Sequence, residues 1–355
     1  MAATAGVENL TGEKLTEGIP VSSEGVRFLK ADIEYAVDVL VGMGEQGLTV
    51  VRWLGETYYD HQLYRMESDA RIREADKLNL PNALLTWYSE QQSNVEKTMK
   101  AMLSRYTEKE SSGMGMWARN VVGIGPIISA MLLALIDMNI STNPSKIFRY
   151  FGLDPSSKWL GREKAEVALR GIMEKNNLRA NALDDAAVRV IAVALGRNQD
   201  AFLRQAHNKE GRMTRATVVA AIAKRPWNAT AKTLAWKIGD SFCKNHNKPT
   251  CFYGKLYEQE KARQQERNAS GGNAALCQRE LQERTFRDRE TRELYEAGRI
   301  PDGRIELRAR RKAVKIFLVH WWAEAYRRKF KAEPPRAWPL EHGHSDEIRD
   351  PQLKS

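Results

Sequence analysis

Val121-Val-Gly-Ile-Gly-Pro-Ile-Ile-Ser-Ala-Met-Leu-Leu-Ala-Leu-Ile136 is the stretch on which the reading of this chain turns. Gly123 and Gly125, one residue apart, permit a tight turn with a positive φ and a close backbone approach. Pro126 suits the first turn of a new helix, where its missing N–H leaves no bond unmade. An apolar run follows at once. Hydrophobic-Gly-hydrophobic-Gly with the small Ala130 five residues on is the spacing of a helix-hairpin-helix. The free amides of such a loop, with a helix dipole behind them, can hold one anionic group. An ordinary αα-hairpin with a glycine turn has the same spacing, and spacing alone leaves both open.

Around this stretch lie 355 residues, enough for two or three domains, and a hydrophobic content of 42% that can build sizeable cores. Lys and Arg number 56 against 45 acids, a net charge of +11. The isoelectric point near 9.5 points to a polyanionic partner. With such a balance, the anion at the glycine loop is expected to be a nucleic-acid phosphate. No apolar run is long enough to span a bilayer, and the N-terminus has neither the basic start nor the apolar stretch of a signal peptide. Cys243, Cys251 and Cys277 form no paired framework, which fits a reducing compartment. A soluble, cytoplasmic, nucleoid-associated protein without a membrane partner is expected.

Apolar residues recur at helical spacing almost everywhere and alternate with period two almost nowhere, so the expected fold class is all-α. Residues 1–24 read as a flexible tail and 25–110 as a helical region broken at Pro81. The hairpin segment occupies 111–158. An inserted helical lobe covers 159–225, with helices over 163–174, 182–195, 200–207 and 214–224. Its short helices around a glycine turn are compatible with a helix-turn-helix or with a plain helical lobe. The core continues over 226–255. Residues 256–300 are highly charged and read as two long helices joined by a glycine turn at 269–273, with mostly solvated faces. A basic helix spans 301–332: its only acids after Arg304 are Glu306 and Glu324, and its middle, Ile316 to Trp322, is apolar. Pro334-Pro335 closes it, and 333–355 form a tail.

Sites of chemistry are few. Cys243-x-x-His246-x-x-x-x-Cys251 has the flavour of a zinc knuckle, but a structural zinc site wants four ligands and Cys277 sits beyond a long helix. Buried or surface thiols are the simpler reading. His320, His342 and His344 could converge as a second cluster, but His342 and His344, around a glycine in the tail, read more simply as polar surface residues. No metal is assigned. There is no phosphate loop ending in Gly-Lys-Ser/Thr, no dinucleotide fingerprint and no nucleophile elbow. Asp184-Asp185 stands at a helix start, where capping explains it. Aromatic and basic residues interleave at Trp117–Arg119, Arg149–Tyr150, Lys158–Trp159, Lys224–Trp227 and Tyr326–Arg327, a mixture usable for phosphate contact and base stacking.

From Trp117 to Pro155 the chain resembles the C-terminal domain of the IS-one-ten-type, bridge-RNA-guided insertion-sequence transposases. The resemblance rests on Val122-Gly123-Ile124-Gly125-Pro126, on Ala130 and Leu133–Ile136, and on Tyr150-Phe-Gly-Leu-Asp-Pro155, which echoes that family's Tyr-x-Gly-Leu-x-Pro. The overall pattern looks like a helical branch of that family carried by phages and integrated elements. The resemblance implies a DNA-holding domain. Family members add a RuvC-like N-terminal fold with metal-binding acids and a nucleophilic serine. Here the N-terminal region is helical and lacks an evident RuvC-like domain. The loop where the serine is expected reads Ala223-Lys-Arg-Pro-Trp-Asn228, so no catalytic residue carries over.

The sequence therefore predicts a DNA-binding protein of mobile-element or phage origin, acting in DNA transposition or recombination. Gly123, Ile124 and Gly125 would meet a phosphate with Arg119 beside them. Lys146, Arg149, Lys158, Lys224 and Arg225 would extend the basic surface, and Arg308, Arg310, Arg311 and Lys312 would add salt-sensitive affinity. Structured or junction DNA fits a module that reads backbone geometry. RNA stays open as a partner, and the helices of 256–300 are candidates for self-association. Whether the chain is an enzyme is undecided. An active transposase or recombinase with an unrecognised acid set is one rival, with Mg²⁺ as cofactor only in that case, and a phage structural or assembly protein is another.

Overall fold

A computed structural model describes residues 23–156, 159–178, 183–336 and 348–352. The expectations on residues 1–22, on Lys158, and on His342 and His344 lie outside the described residues. Fifteen helices occur among the described residues and no strand, only an isolated bridge between His207 and Met213. The chain is all-α. It divides into two compact units, Met1–Pro144 with Leu234–Ser355, and Ser145–Thr233.

The first unit opens with α1 (Ser23–Gly42), α2 (Glu45–Lys77) and α3 (Ala83–Lys109), with α3 packed on both others. The break foreseen at Pro81 falls between α2 and α3, with Asn79 at a φ of 54°. α4 (Met114–Arg119) and α5 (Pro126–Leu135) follow, and α5 docks on α2 and α3. The α2–α5 approach is close at Gly55, where a Cβ would lie 2.1 Å from Met131 Sδ.

The second unit holds α6 (Pro144–Tyr150), α7 (Gly161–Lys175), α8 (Asp185–Ala194), α9 (Gln199–Ala206) and α10 (Arg215–Ala223). Its core is its own: Leu169, Val188, Ile191, Phe202, Val218 and Ile222 are buried together. Side chains start its helices. Asp184 accepts from Ala187 N at 2.8 Å, Asn198 from Ala201 N at 2.9 Å, and Thr214 forms a capping box with Thr217. The unit reaches beyond the 159–225 expected from sequence, because the helix around Ile147 and the segment up to Thr233 belong to it.

The division falls within α11 (Ala229–Lys244), after which come α12 (Phe252–Ala269), α13 (Ala274–Glu283), α14 (Arg289–Glu296) and α15 (Asp302–Phe330). Ile305, Ala309, Ala313, Phe317, Trp321 and Ala325 recur every fourth residue of α15 and are all buried, and α12 packs along it. The charged stretch departs from expectation in two ways. Its second half is two short helices, because Asp288 accepts from Thr291 N at 2.8 Å and starts α14 afresh. Its inner face is polar without being solvated: Glu260, Gln264 and Asn268, one turn apart on α12, are all buried. Gln264 Nε2 donates to Glu260 Oε1 at 2.7 Å, and Lys312 Nζ to Glu260 Oε2 at 2.9 Å. Asn268 brackets Ile300, accepting from its N–H and donating to its carbonyl, both at 2.9 Å. Buried polar groups are tolerated when paired this completely.

Candidate nucleic-acid interface

The glycine loop is held on one side and open on the other. α4 ends at Arg119, Ile124 N donates to Val121 O at 2.9 Å, and Gly123 takes a φ of 99°. Ser241 Oγ of α11 donates to Gly123 O at 2.5 Å, and the buried Cys251 thiol faces Val122 O at 3.6 Å. A Cβ on Gly123 would lie 3.1 Å from Ser241 Oγ. Gly125 differs. Its φ of −89° and ψ of 177° are ordinary extended values, and a Cβ there would meet nothing within 4 Å. The amides of Gly125, Ile127 and Ile128 find no acceptor among the described residues. They are the orphan donors that any helix leaves at its start, here at the N-terminus of the ten-residue α5.

The cations expected around this loop have varied fates. Arg119 is turned inward: its guanidinium donates to Glu108 at 2.9 Å, Ser104 O at 3.1 Å and Thr107 Oγ1 at 3.2 Å. It ties α4 to the end of α3, with 24% of the side chain exposed. On α15, Arg310 lies between Asp240 and Glu306 and is 18% exposed. Lys312 pairs with Glu260, and Arg308 donates to Gln264 Oε1 at 3.3 Å and Asn273 Oδ1 at 3.2 Å. Burial pushes the Arg308 pKa down, helped by the neighbouring charges of Arg304, Arg267 and Arg311. Of the four cations expected to form a free cluster here, Arg311 alone stands exposed without a partner among the described residues. The sequence cluster is therefore mainly a set of interior ties, since the apolar faces that bury α15 carry its flanking arginines to buried acceptors on α11 and α12.

The second unit gathers its cations differently. Arg149, Lys224 and Arg225 line one cavity of about 330 Å³, and Arg197 joins them. No Asp or Glu among the described residues lines it. Arg149 meets Asp154 at 3.5 Å but is 68% exposed, a geometry worth little in water. Lys224 and Arg225 are exposed and have no acidic partner among the described residues. The Arg225 guanidinium lies 4.8 Å from the ring centre of Trp159, whose indole N–H donates to Ala223 O at 2.7 Å. Arg197 is half-buried and donates to Ala221 O at 2.7 Å and Ile222 O at 2.8 Å, carbonyls in the last turn of α10. Burial lowers its pKa. Sequence reasoning missed Arg197. The signal was thin: one arginine after the helix-ending Gly196, before the cap residue Asn198. Lys146 is exposed on α6. The loop at 223–228 joins the Tyr150–Pro155 landmark directly, with Asn228 N donating to Tyr150 O at 3.0 Å.

The knuckle-like residues are used otherwise. His246 Nδ1 bonds Cys243 O at 2.6 Å, Cys243 Sγ takes Arg310 Nη2 at 3.5 Å, and Cys251 faces the hairpin. Cys277 is buried with Tyr295, Ile300 and Ile305. His320 lies buried between the Tyr253 hydroxyl at 2.8 Å and Ile348 O at 2.7 Å, within the apolar middle of α15. Among the described residues no three His, Cys, Asp or Glu side chains converge as a metal-binding group. No helix among them is long and apolar enough to cross a membrane. Compared with known families, curated proteins and solved structures, the chain matches no family model, no curated protein and no solved structure.

Proposed function

We propose that this chain is a DNA-binding protein of mobile-element or phage origin, resembling the DNA-holding half of a transposase and acting in transposition or recombination. It grips the phosphate backbone through the loop at Gly123–Gly125 and the start of α5. The observation that supports the reading is the open face of Gly125, beside three amides without acceptors, in a chain of net charge +11. A phosphate oxygen there would accept from backbone N–H groups and meet the positive end of the α5 dipole. Such contacts fix register and read no bases. The exposed cations Arg149, Lys224, Arg225 and Arg311 would add counterion-release affinity.

The test is fluorescence anisotropy with labelled duplex, single-stranded and four-way-junction DNA across a salt titration. Tight binding that weakens steeply with salt is expected. Gly125→Val should lower affinity on the order of tenfold while helical content and melting stay unchanged, because its backbone angles suit a β-branched residue. Gly123 is the poorer probe, since its positive φ and the nearby Ser241 make any side chain there a folding defect. Unchanged affinity in folded Gly125→Val removes the hairpin from the binding surface. Flat, weak binding to all three DNAs removes the DNA reading.

A further inference from the structure

The cavity of the second unit is a different kind of place from an open phosphate-gripping surface. Four cationic side chains from three separate segments meet there: Arg149 from α6, Arg197 from the α8–α9 turn, and Lys224 and Arg225 after α10. Its volume of about 330 Å³ is that of a small-ligand site. Among the described residues no carboxylate lines it; Asp154 lies 3.5 Å from Arg149 at its edge, and the charges of Arg197, Lys224 and Arg225 are left for something from outside to neutralise.

Two of the cations are held in place beforehand. Arg197 is clamped by the carbonyls of Ala221 and Ile222, its Nη1 and Nη2 each spending one N–H on them. The second N–H on each nitrogen, and that on Nε, are left to donate. Arg225 lies face-on against Trp159, and the Trp159 ring is itself fixed by its bond to Ala223 O. A guanidinium already held against an aromatic ring loses less freedom when it binds an anion. Asn198 and Gln205 add polar groups to the wall, and Phe202 an apolar one.

We infer that this cavity is a binding site for a phosphate monoester carried on a nucleotide. The charge favours a monoester over an internal backbone phosphate. A terminal phosphate carries about −1.5 to −2 charges at neutral pH, against a single charge for each backbone phosphate. The concave shape favours it too, because a strand end can enter a pocket that a continuing strand has to pass over. The ligand has two sources with the same chemistry, a free nucleoside monophosphate or the phosphorylated end of a nucleic-acid strand. The site does not depend on the hairpin; it rests on the nucleic-acid reading only for the strand-end source.

The full-length protein is titrated with a labelled single-stranded oligonucleotide carrying a 5′-phosphate, a 3′-phosphate or hydroxyls at both ends, and by calorimetry with free AMP and dAMP. A phosphate end is expected to bind on the order of tenfold more tightly than a hydroxyl end. Lys224→Gln with Arg225→Gln, both exposed, should erase that difference without moving the melting temperature. Arg197→Lys is a second variant, keeping the charge while losing the two-point clamp. AMP binding that competes with the labelled end assigns the site to a free nucleotide, and end preference without AMP binding assigns it to strand ends. Both support the proposal. Equal affinity for phosphate and hydroxyl ends together with no AMP binding overturns it, even if the oligonucleotide binds and the DNA-binding reading stands. AMP binding with no affinity for any oligonucleotide keeps the site and removes the DNA-binding reading.

Discussion

His320 shows how much chemistry one buried side chain can fix. The carbonyl of Ile348 can only accept, so the imidazole carries its proton on Nε2, and Nδ1 then accepts from the Tyr253 hydroxyl. Burial lowers the His320 pKa, while the Ile348 carbonyl and the Asp350 carboxylate oppose the shift. The folded state thus resists a proton that the unfolded chain takes up near pH 6.5. Stability is fully present above that pH and is lost as the pH falls from there towards the lower folded value. Thermal melts between pH 7.5 and 5 should show this loss, and His320→Gln should flatten it; an equal slope in the variant would place the titration elsewhere. Glu260 works in the opposite sense. Burial raises its pKa, but Arg263, Lys312 and Gln264 outweigh burial and hold it at about 2. Its contribution is present above the unfolded carboxylate value near 4.3 and lost as the pH falls through about 2. Its partners Arg263 and Lys312 are 64% and 44% exposed and can return to water when it is removed. Glu260→Gln should therefore cost only about 1–3 kcal/mol at neutral pH, read from denaturant midpoints.

At the level of elements, α2 and α5 approach closely at Gly55. A methyl group there would overlap Met131, which is buried, so the two helices would have to part. Gly55→Ala should destabilise by about 1–3 kcal/mol through overpacking, despite the better helix propensity of alanine. Combining it with Met131→Ala should cost less than the sum of the single changes, because the overlap disappears with the side chain. Strict additivity would mean that the helices do not touch there. The same elements show what a sequence discloses. Helices α7 to α10 fall close to their expected bounds, because a 3.6-residue apolar period and the capping residues Asp184, Asn198 and Thr214 are local signals. The partners of α15 are not local. Arg310 meets Asp240 across 70 residues and Arg308 meets Gln264 across 44, so what reads as a basic patch in the chain folds into a set of pairs. Gly125 was legible as the second glycine of the hairpin. That it stays open while Gly123 is covered depends on Ser241 of α11, which no spacing near the hairpin reveals.

For the whole molecule, net charge is a poor guide to where a polyanion would lie until the internal pairs are removed from it. Arg65, Arg105, Arg119, Arg304 and Arg310 each have a carboxylate within 3.1 Å and offer little to an outside anion. Among the described residues, Lys224, Arg225 and Arg197 of the second unit have no carboxylate partner. That unit also has a core built from its own four helices α7 to α10, with Leu169, Val188, Ile191 and Ile222 fully buried. Ser145–Thr233 is well above the length of roughly 40 residues below which a chain usually needs disulfides or metals to fold. Expressed alone, it should melt in one cooperative transition with helical circular dichroism. Ile191→Ala in that fragment should remove roughly 2–5 kcal/mol, enough to unfold much of a small domain at ambient temperature. A broad, non-cooperative melt of the parent fragment would mean that its core needs the rest of the chain. A cooperative melt would make the fragment the simplest material in which to pursue the cavity, since Arg149, Arg197, Lys224 and Arg225 would all be present in a chain that lacks the glycine hairpin.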